Sequence, residues 1–118
     1  MLIVDLDVHQ GNGTAAIFQH EPRVFTFSMH GCPQLPRPQR NLDLDLPLPD
    51  GTDDAQVPEA AGRHPARLLE EVQPDFVFYL AGVDVLATDK LGYLALTRAG
   101  CRQRDELGAC RHRHQGCP

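Results

Sequence analysis

The sequence predicts an α/β domain built on a mainly parallel sheet, and three observations carry that prediction. Short apolar runs at residues 2–6, 24–27 and 76–80 alternate with stretches that read as helix or turn, the strand–helix–strand order of a parallel sheet. The first run is apolar throughout except for Asp5, as expected of a strand covered on both faces. Carboxylates and an imidazole (Asp7 and His9 after the first run, Asp84 after the last) sit at the carboxyl ends of these runs, where open α/β sheets collect ligands.

Residues 2–6 form the first strand. Gly11 and Gly13 then turn the chain, a short helix is expected over 14–20, and Pro22 ends it. Residues 23–29, with Val24, Phe25, Thr26 and Phe27, have the β-branched and aromatic character of a second strand. Residues 31–40 contain Pro33, Pro36 and Pro38 and read as a surface loop. Residues 42–48 alternate Leu with Asp, predicting a strand with one wet face that Pro47 and Pro49 confine to a sheet edge. Asp50-Gly51-Thr52 is a turn, with Thr52 as an expected helix cap. Gly62 and Pro65 argue for a weak turn over 58–61 and a true helix only over 66–72, with Leu68, Leu69 and Val72 inward. Residues 75–81 are the clearest strand, and Gly82 lets the chain bend into Asp84.

After Thr97 the composition shifts to Arg, Cys and His; Arg98, Arg102 and Arg104 could sit on a short helix, but the apolar stripe is poor. The expectation is a partial domain over 1–97 and an atypical tail over 98–118, disordered or read in a shifted frame. Met1 leads directly into a buried strand, which suggests lost upstream sequence.

At 118 residues and 42% hydrophobic content the chain is one domain or part of one. Its net charge of -5 argues against a general nucleic-acid surface. No apolar run is long enough to span a membrane, and no basic segment followed by an apolar stretch marks a signal peptide. The cysteines Cys32, Cys101, Cys110 and Cys117 read as reduced thiols of a cytoplasmic protein, nuclear if the source is eukaryotic. Oligomeric state is not encoded in any visible pattern.

The segment Val4-Asp5-Leu6-Asp7-Val8-His9-Gln10-Gly11-Asn12-Gly13 carries the chemistry. Strand alternation would send Asp7 and His9 to one side, with Val4, Leu6 and Val8 packed behind. With Asp84 as a third donor, two carboxylates and one imidazole leave a position open on a zinc-like ion, as a catalytic site needs.

Rival readings are weaker. Gly11-x-Gly13-x-x-Ala16 imitates a dinucleotide-binding turn, but Asp7 and His9 crowd the pyrophosphate position and no acidic residue ends the next strand. Asp5-x-Asp7 imitates a phosphatase nucleophile motif that wants Thr or Val where His9 stands. Asp43, Asp45, Asp50, Asp53 and Asp54 lack the pattern of a calcium loop and read as a solvated face. His30 is expected in a loop near the site rim, and His20 and His64 on the surface. Cys101, Cys110, His112, His114 and Cys117 do not match a familiar zinc-ribbon spacing.

Three blocks in order, Asp5-Leu-Asp7-Val-His9-Gln-Gly-Asn-Gly13, Val24-Phe-Thr-Phe-Ser28-Met-His30 and Leu80-Ala-Gly-Val-Asp84, resemble the zinc-dependent histone deacetylase family, whose arginase/deacetylase fold is a three-layer α/β domain. The form Gln10-Gly-Asn12-Gly13 resembles the class IV branch and its bacterial relatives. The resemblance implies Zn2+ or another divalent cation on Asp7, His9 and Asp84, and a structural K+ held by Asp5, Asp7, His9, Ser28 and Met29. A second monovalent ion in some relatives implies backbone carbonyls at Phe18, Glu21, Val24 and Leu42. Asp5 and Asn12 match positions that orient the catalytic histidines. The implied reaction is hydrolysis of an acylated lysine or a small acylated amine. The family's tandem catalytic histidines and its oxyanion tyrosine have no counterpart among these residues, since neither Tyr79 nor Tyr93 follows a glycine-rich run. The expectation is therefore a metal-holding part of a deacetylase that is inactive in isolation, or a non-catalytic interaction module.

Overall fold

The computed structural model describes residues 1–31 and 42–110. The element order is β1 (Leu2–Asp5), α1 (Asn12–Phe18), β2 (Phe25–Gly31), β3 (Leu44–Leu48), α2 (Val57–Val72), β4 (Val77–Leu80) and α3 (Arg98–Cys110). The four strands form one sheet in the order β3-β2-β1-β4, and every pairing is parallel. Strand β1 is central: Leu2 pairs with Phe25 on one side and Val77 on the other. The mainly parallel α/β architecture read from the sequence is the one observed.

The strand order determines where the site lies. The chain moves from β1 to β2 and β3 in one direction, then crosses back over the sheet through α2 to reach β4. The right-handed rule for such crossovers places α1 and α2 on opposite faces. The reversal opens a crevice between the carboxyl ends of β1 and β4, the place where ligands bind in sheets of this kind.

Alternation along each strand sorts the two faces. Leu2 and Val4, Phe27 and Met29, and Leu48 join Val57, Ala61 and Leu68 of α2 and Cys101 of α3 in one core. Fully burying an aliphatic side chain here contributes about 1.5–3 kcal/mol. The other face is more polar and carries Asp5, Thr26, Ser28 and His30, all buried. Toward β4 it opens to solvent, and Phe76, Phe78 and Leu80 are all exposed. Strand 75–81, the clearest by composition, is thus short and lies at the sheet edge.

Two expectations are corrected. Helix α2 runs unbroken through Gly62 and Pro65. Proline in a helix interior costs about 3 kcal/mol in isolation. Here Pro58, Ala61, Gly62, Pro65 and Leu68 form the helix's buried stripe, so tertiary burial outweighs local propensity. The helix starts at Val57 with no side-chain cap, and Thr52 instead donates its hydroxyl to the Pro49 carbonyl.

Residues 98–110, placed by composition in an atypical tail with at most a short helix through Arg98, Arg102 and Arg104, form the thirteen-residue helix α3. Its start is held from a distance. Asp54 accepts the Thr97 N–H at 2.8 Å and the Thr97 hydroxyl at 2.6 Å, while the Thr97 hydroxyl accepts the Gly100 N–H at 3.2 Å. The buried stripe of α3 is Gly100, Cys101, Arg104 and Gly108, nearly devoid of aliphatic residues, so apolar periodicity had nothing to register. The loop expected over 32–40 and the tail residues His112, His114 and Cys117 lie outside the described residues. Among the described residues no helix is long and apolar enough to cross a membrane.

Candidate metal centre

Strand β1 ends at Asp5, so Asp7 and His9 lie beyond the pleated strand. Their convergence does not come from strand alternation. It comes from two successive side-chain-to-backbone turns: the Asp7 N–H donates to Asp5 Oδ1 at 3.1 Å, and the His9 N–H donates to Asp7 Oδ1 at 2.8 Å. Such aspartate turns bend the chain locally at the end of a strand. Asp84 arrives from the loop after β4 and accepts the Val8 N–H at 3.3 Å.

The three side chains meet. His9 Nδ1 stands 3.0 Å from Asp7 Oδ1 and 3.0 Å from Asp84 Oδ2. One donor atom from each of Asp7, His9 and Asp84 lies within 4.8 Å of the others. Donors at the usual zinc distances around a tetrahedral ion stand roughly 3.3 Å apart, close to this arrangement. The donor set of two carboxylate oxygens and one imidazole nitrogen suits zinc or a similar divalent ion. His9 is exposed and the two carboxylates are partly so, leaving one side open to an incoming group.

Gly82 makes room for this cluster. A β-carbon there would overlap Asp7 Oδ2 and stand only 2.7 Å from Asp84 Oδ1. Gly11 does the same for Asp5, whose Oδ2 would lie 2.9 Å from a β-carbon. Both glycines are required by close approach, not by an unusual backbone angle.

The cluster is rich in negative charge. Burial pushes the Asp5 carboxyl above the ordinary carboxylate range, and the charges of Asp7 and Asp84 push the same way. The Asp7 N–H and the nearby His30 pull it back. A cation between these groups would relieve the repulsion.

The remaining expected residues fall as follows. Ser28 is fully buried beside β1, and its Oγ accepts the Gly11 N–H at 3.4 Å. Met29 is buried with its side chain in the core on the other face. Asn12 opens α1. Phe18, Glu21, Val24 and Leu42 line a cleft near the amino ends of β1 and β2, away from the metal cluster. Tyr79 donates its hydroxyl to Asp105 at 2.8 Å on the α3 side of the sheet.

Several residues differ from expectation or were missed. His30 is not in a rim loop. It is 2% exposed on β2, with Nε2 3.3 Å from Asp45 Oδ1 and Nδ1 2.9 Å from the Gly31 carbonyl. Asp45 accepts from Gln10, and Asp43 accepts the Thr26 N–H and hydroxyl. These carboxylates brace β3 against β2 and are not merely solvated. His64 stacks on Phe27 at 6.0 Å between ring centroids. Arg104, unremarked in the sequence beyond a weak helical pattern, is fully buried behind β1. Only its regular spacing to Gly100 and Gly108 hinted at a buried stripe.

Fold and cluster together define an α/β protein with a candidate divalent-metal centre at the reversal of its sheet. Residues 1–114 match the sequence profile of the histone deacetylase domain. The chain belongs to the histone deacetylase family. It is 52% identical over 107 residues to an uncharacterized protein of Picosynechococcus, an alignment that covers 91% of this chain and 36% of the relative. It is 31% identical over 109 residues to histone deacetylase 2 of Arabidopsis thaliana, covering 90% of this chain and 28% of the relative. A probable deacetylase of Archaeoglobus fulgidus is 32% identical over 108 residues, covering 83% of this chain and 30% of the relative. The chain thus spans about a third of the length of the curated relatives it matches.

Proposed function

We propose that this chain supplies the metal-holding part of a zinc-dependent deacetylase that hydrolyses acylated lysine or a small acylated amine. The observation that carries the reading is the convergence of Asp7, His9 and Asp84 at the crevice between β1 and β4. When bound there, a divalent ion supplies Lewis acidity toward an acyl carbonyl and lowers the pKa of a water. Asp7 and Asp84 bring the charge that holds such an ion, and His9 completes the set with Nδ1. Asp5 fixes the Asp7 backbone, and Gly82 keeps the carboxylates unobstructed.

A structural K+ on Asp5 and on Asp7, His9, Ser28 and Met29 belongs to the same proposal. The buried Asp5 carboxylate beside Asp7, with the buried Ser28 hydroxyl on the neighbouring strand, supports it. The family resemblance assigns proton transfer and oxyanion stabilisation to histidines and a tyrosine that these 118 residues do not supply. The isolated chain is therefore expected to bind metal without turning over substrate, in a cytoplasmic setting.

Zinc titration of the 118-residue chain tests the reading. Asp7→Ala, His9→Ala and Asp84→Ala should each abolish stoichiometric binding. Binding lost only on joint replacement of Cys110 and Cys117 would move the metal to the tail and overturn the proposal. Metal-dependent hydrolysis of an acetyl-lysine peptide by the isolated chain would refute the expected inactivity alone.

A further inference from the structure

We infer that Arg104 is a positioning residue for the metal centre, clamping the ends of β1 and β4 together from behind the site. The inference rests on the metal assignment proposed above. Arg104 is 0% exposed, and its Nη1 donates to the Leu6 carbonyl at 2.9 Å. Leu6 is the link between Asp5 and Asp7. Its N–H donates to the Leu80 carbonyl of β4 at 2.9 Å, so the peptide groups on either side of Leu6 are held, one by β4 and one by Arg104.

The rest of the guanidinium is held in place. Nε and Nη2 reach Asp105 Oδ1 at 2.9 and 2.7 Å, and Nη2 lies 3.5 Å from Cys101 Sγ. The same Asp105 oxygen accepts the Tyr79 hydroxyl from β4. Gly108 permits the contact, because a β-carbon there would stand 2.9 Å from the Tyr79 ring. One polar network on α3 therefore grips both strands whose ends carry the ligands, β1 before Asp7 and β4 before Asp84.

Energetics separate positioning from simple stabilisation. Burying a guanidinium is costly, and removing one member of a buried ion pair is harmful chiefly when the other is left buried and uncompensated; here the partner Asp105 is 41% exposed, so water can take over its charge when Arg104 alone is replaced. A residue needed only for packing could be Met or Leu. What an apolar side chain cannot do is hold the Leu6 carbonyl, which sits where water does not reach and would be left without this donor.

The test uses the full chain and reads zinc affinity by competition with a chromogenic chelator, beside thermal melting. It also reads hydrogen–deuterium exchange at the Asp7 and His9 amides without metal. Arg104→Met should remain folded, bind zinc at least about tenfold more weakly, and exchange those amides faster. Millimolar guanidinium should restore affinity to Arg104→Ala, and urea at the same concentration should not. Arg102→Ala removes only an exposed pair with Glu106 on the same helix and should behave as the parent chain.

If the Arg104 variants fail to fold, Tyr79→Phe decides, with an expected loss of about threefold in zinc affinity and faster exchange. Parent-like affinity and exchange in the folded variants would overturn the inference. If the parent chain binds no zinc, the metal proposal fails, and exchange in the metal-free variants still decides the role of Arg104.

Discussion

Gly82 lies against the carboxylate of Asp7 so closely that no side chain of any size fits between them. The contact joins the loop after β4 to the turn after β1 and sets how near Asp7 and Asp84 can come. Gly82→Ala should therefore displace both carboxylates from His9. The expected result is a loss of about ten- to a hundredfold in zinc affinity. Calorimetric titration of the variant measures it, and an unchanged affinity would show that the carboxylates converge without the glycine.

Leu68 tests whether the long, proline-bearing helix is held by its buried face. It lies 4% exposed in the core beneath the sheet. Leu68→Ala should cost about 2–5 kcal/mol in urea unfolding. A change under about 0.5 kcal/mol, the usual size for surface sites, would mean that α2 does not pack as described.

The open face of β4 predicts self-association. Phe76, just before β4, and Phe78, on it, lie 4.9 Å apart between ring centroids and are both exposed at the sheet edge. Exposed apolar edge strands pair with other chains. Phe78→Lys should shift the chain toward monomer in sedimentation at micromolar concentration, with little change in melting. An unaltered distribution would place any self-association elsewhere.

Tyr79 predicts an alkaline limit. Burial first, and then its hydrogen bond to Asp105, raises the phenol above the ordinary tyrosine range. A group whose folded pKa is raised contributes stability that is fully present below the unfolded value, about 10, and is lost as pH climbs through the folded value. The chain should weaken steadily above pH about 10, and Tyr79→Phe should remove that part of the decline. Urea midpoints measured across this range, parent against variant, give the comparison. Parallel slopes would mean that Tyr79 is not held as described.

His64 predicts the opposite slope in acid. Partial burial, with Arg63 and Arg67 nearby, lowers its pKa. Stability from the neutral ring is then present above the unfolded value near 6.5 and lost as pH falls through the folded one. His64→Gln should flatten that part of the acid profile in the same urea experiment.

The amino-acid sequence alone determined the parallel α/β class and the edge position of β3, and it singled out Asp7, His9 and Asp84 as candidate donors, which the structure brings together. These are local properties, because apolar runs, turn residues and metal-donor chemistry are written in short segments. Tertiary structure alone decided the rest. Pro65 stays helical because its ring is buried, and α3 starts at a Thr97 cap that Asp54 holds from another loop. Asp84 meets Asp7 and His9 past the strand end, and Arg104 reaches Leu6 from the far end of the chain. The burial of Pro65 and the contacts of Asp54 and Arg104 depend on residues distant in sequence, whereas the turns at Asp7 and His9 are local, each an aspartate bonding the backbone two residues on, and only the arrival of Asp84 beside them is tertiary.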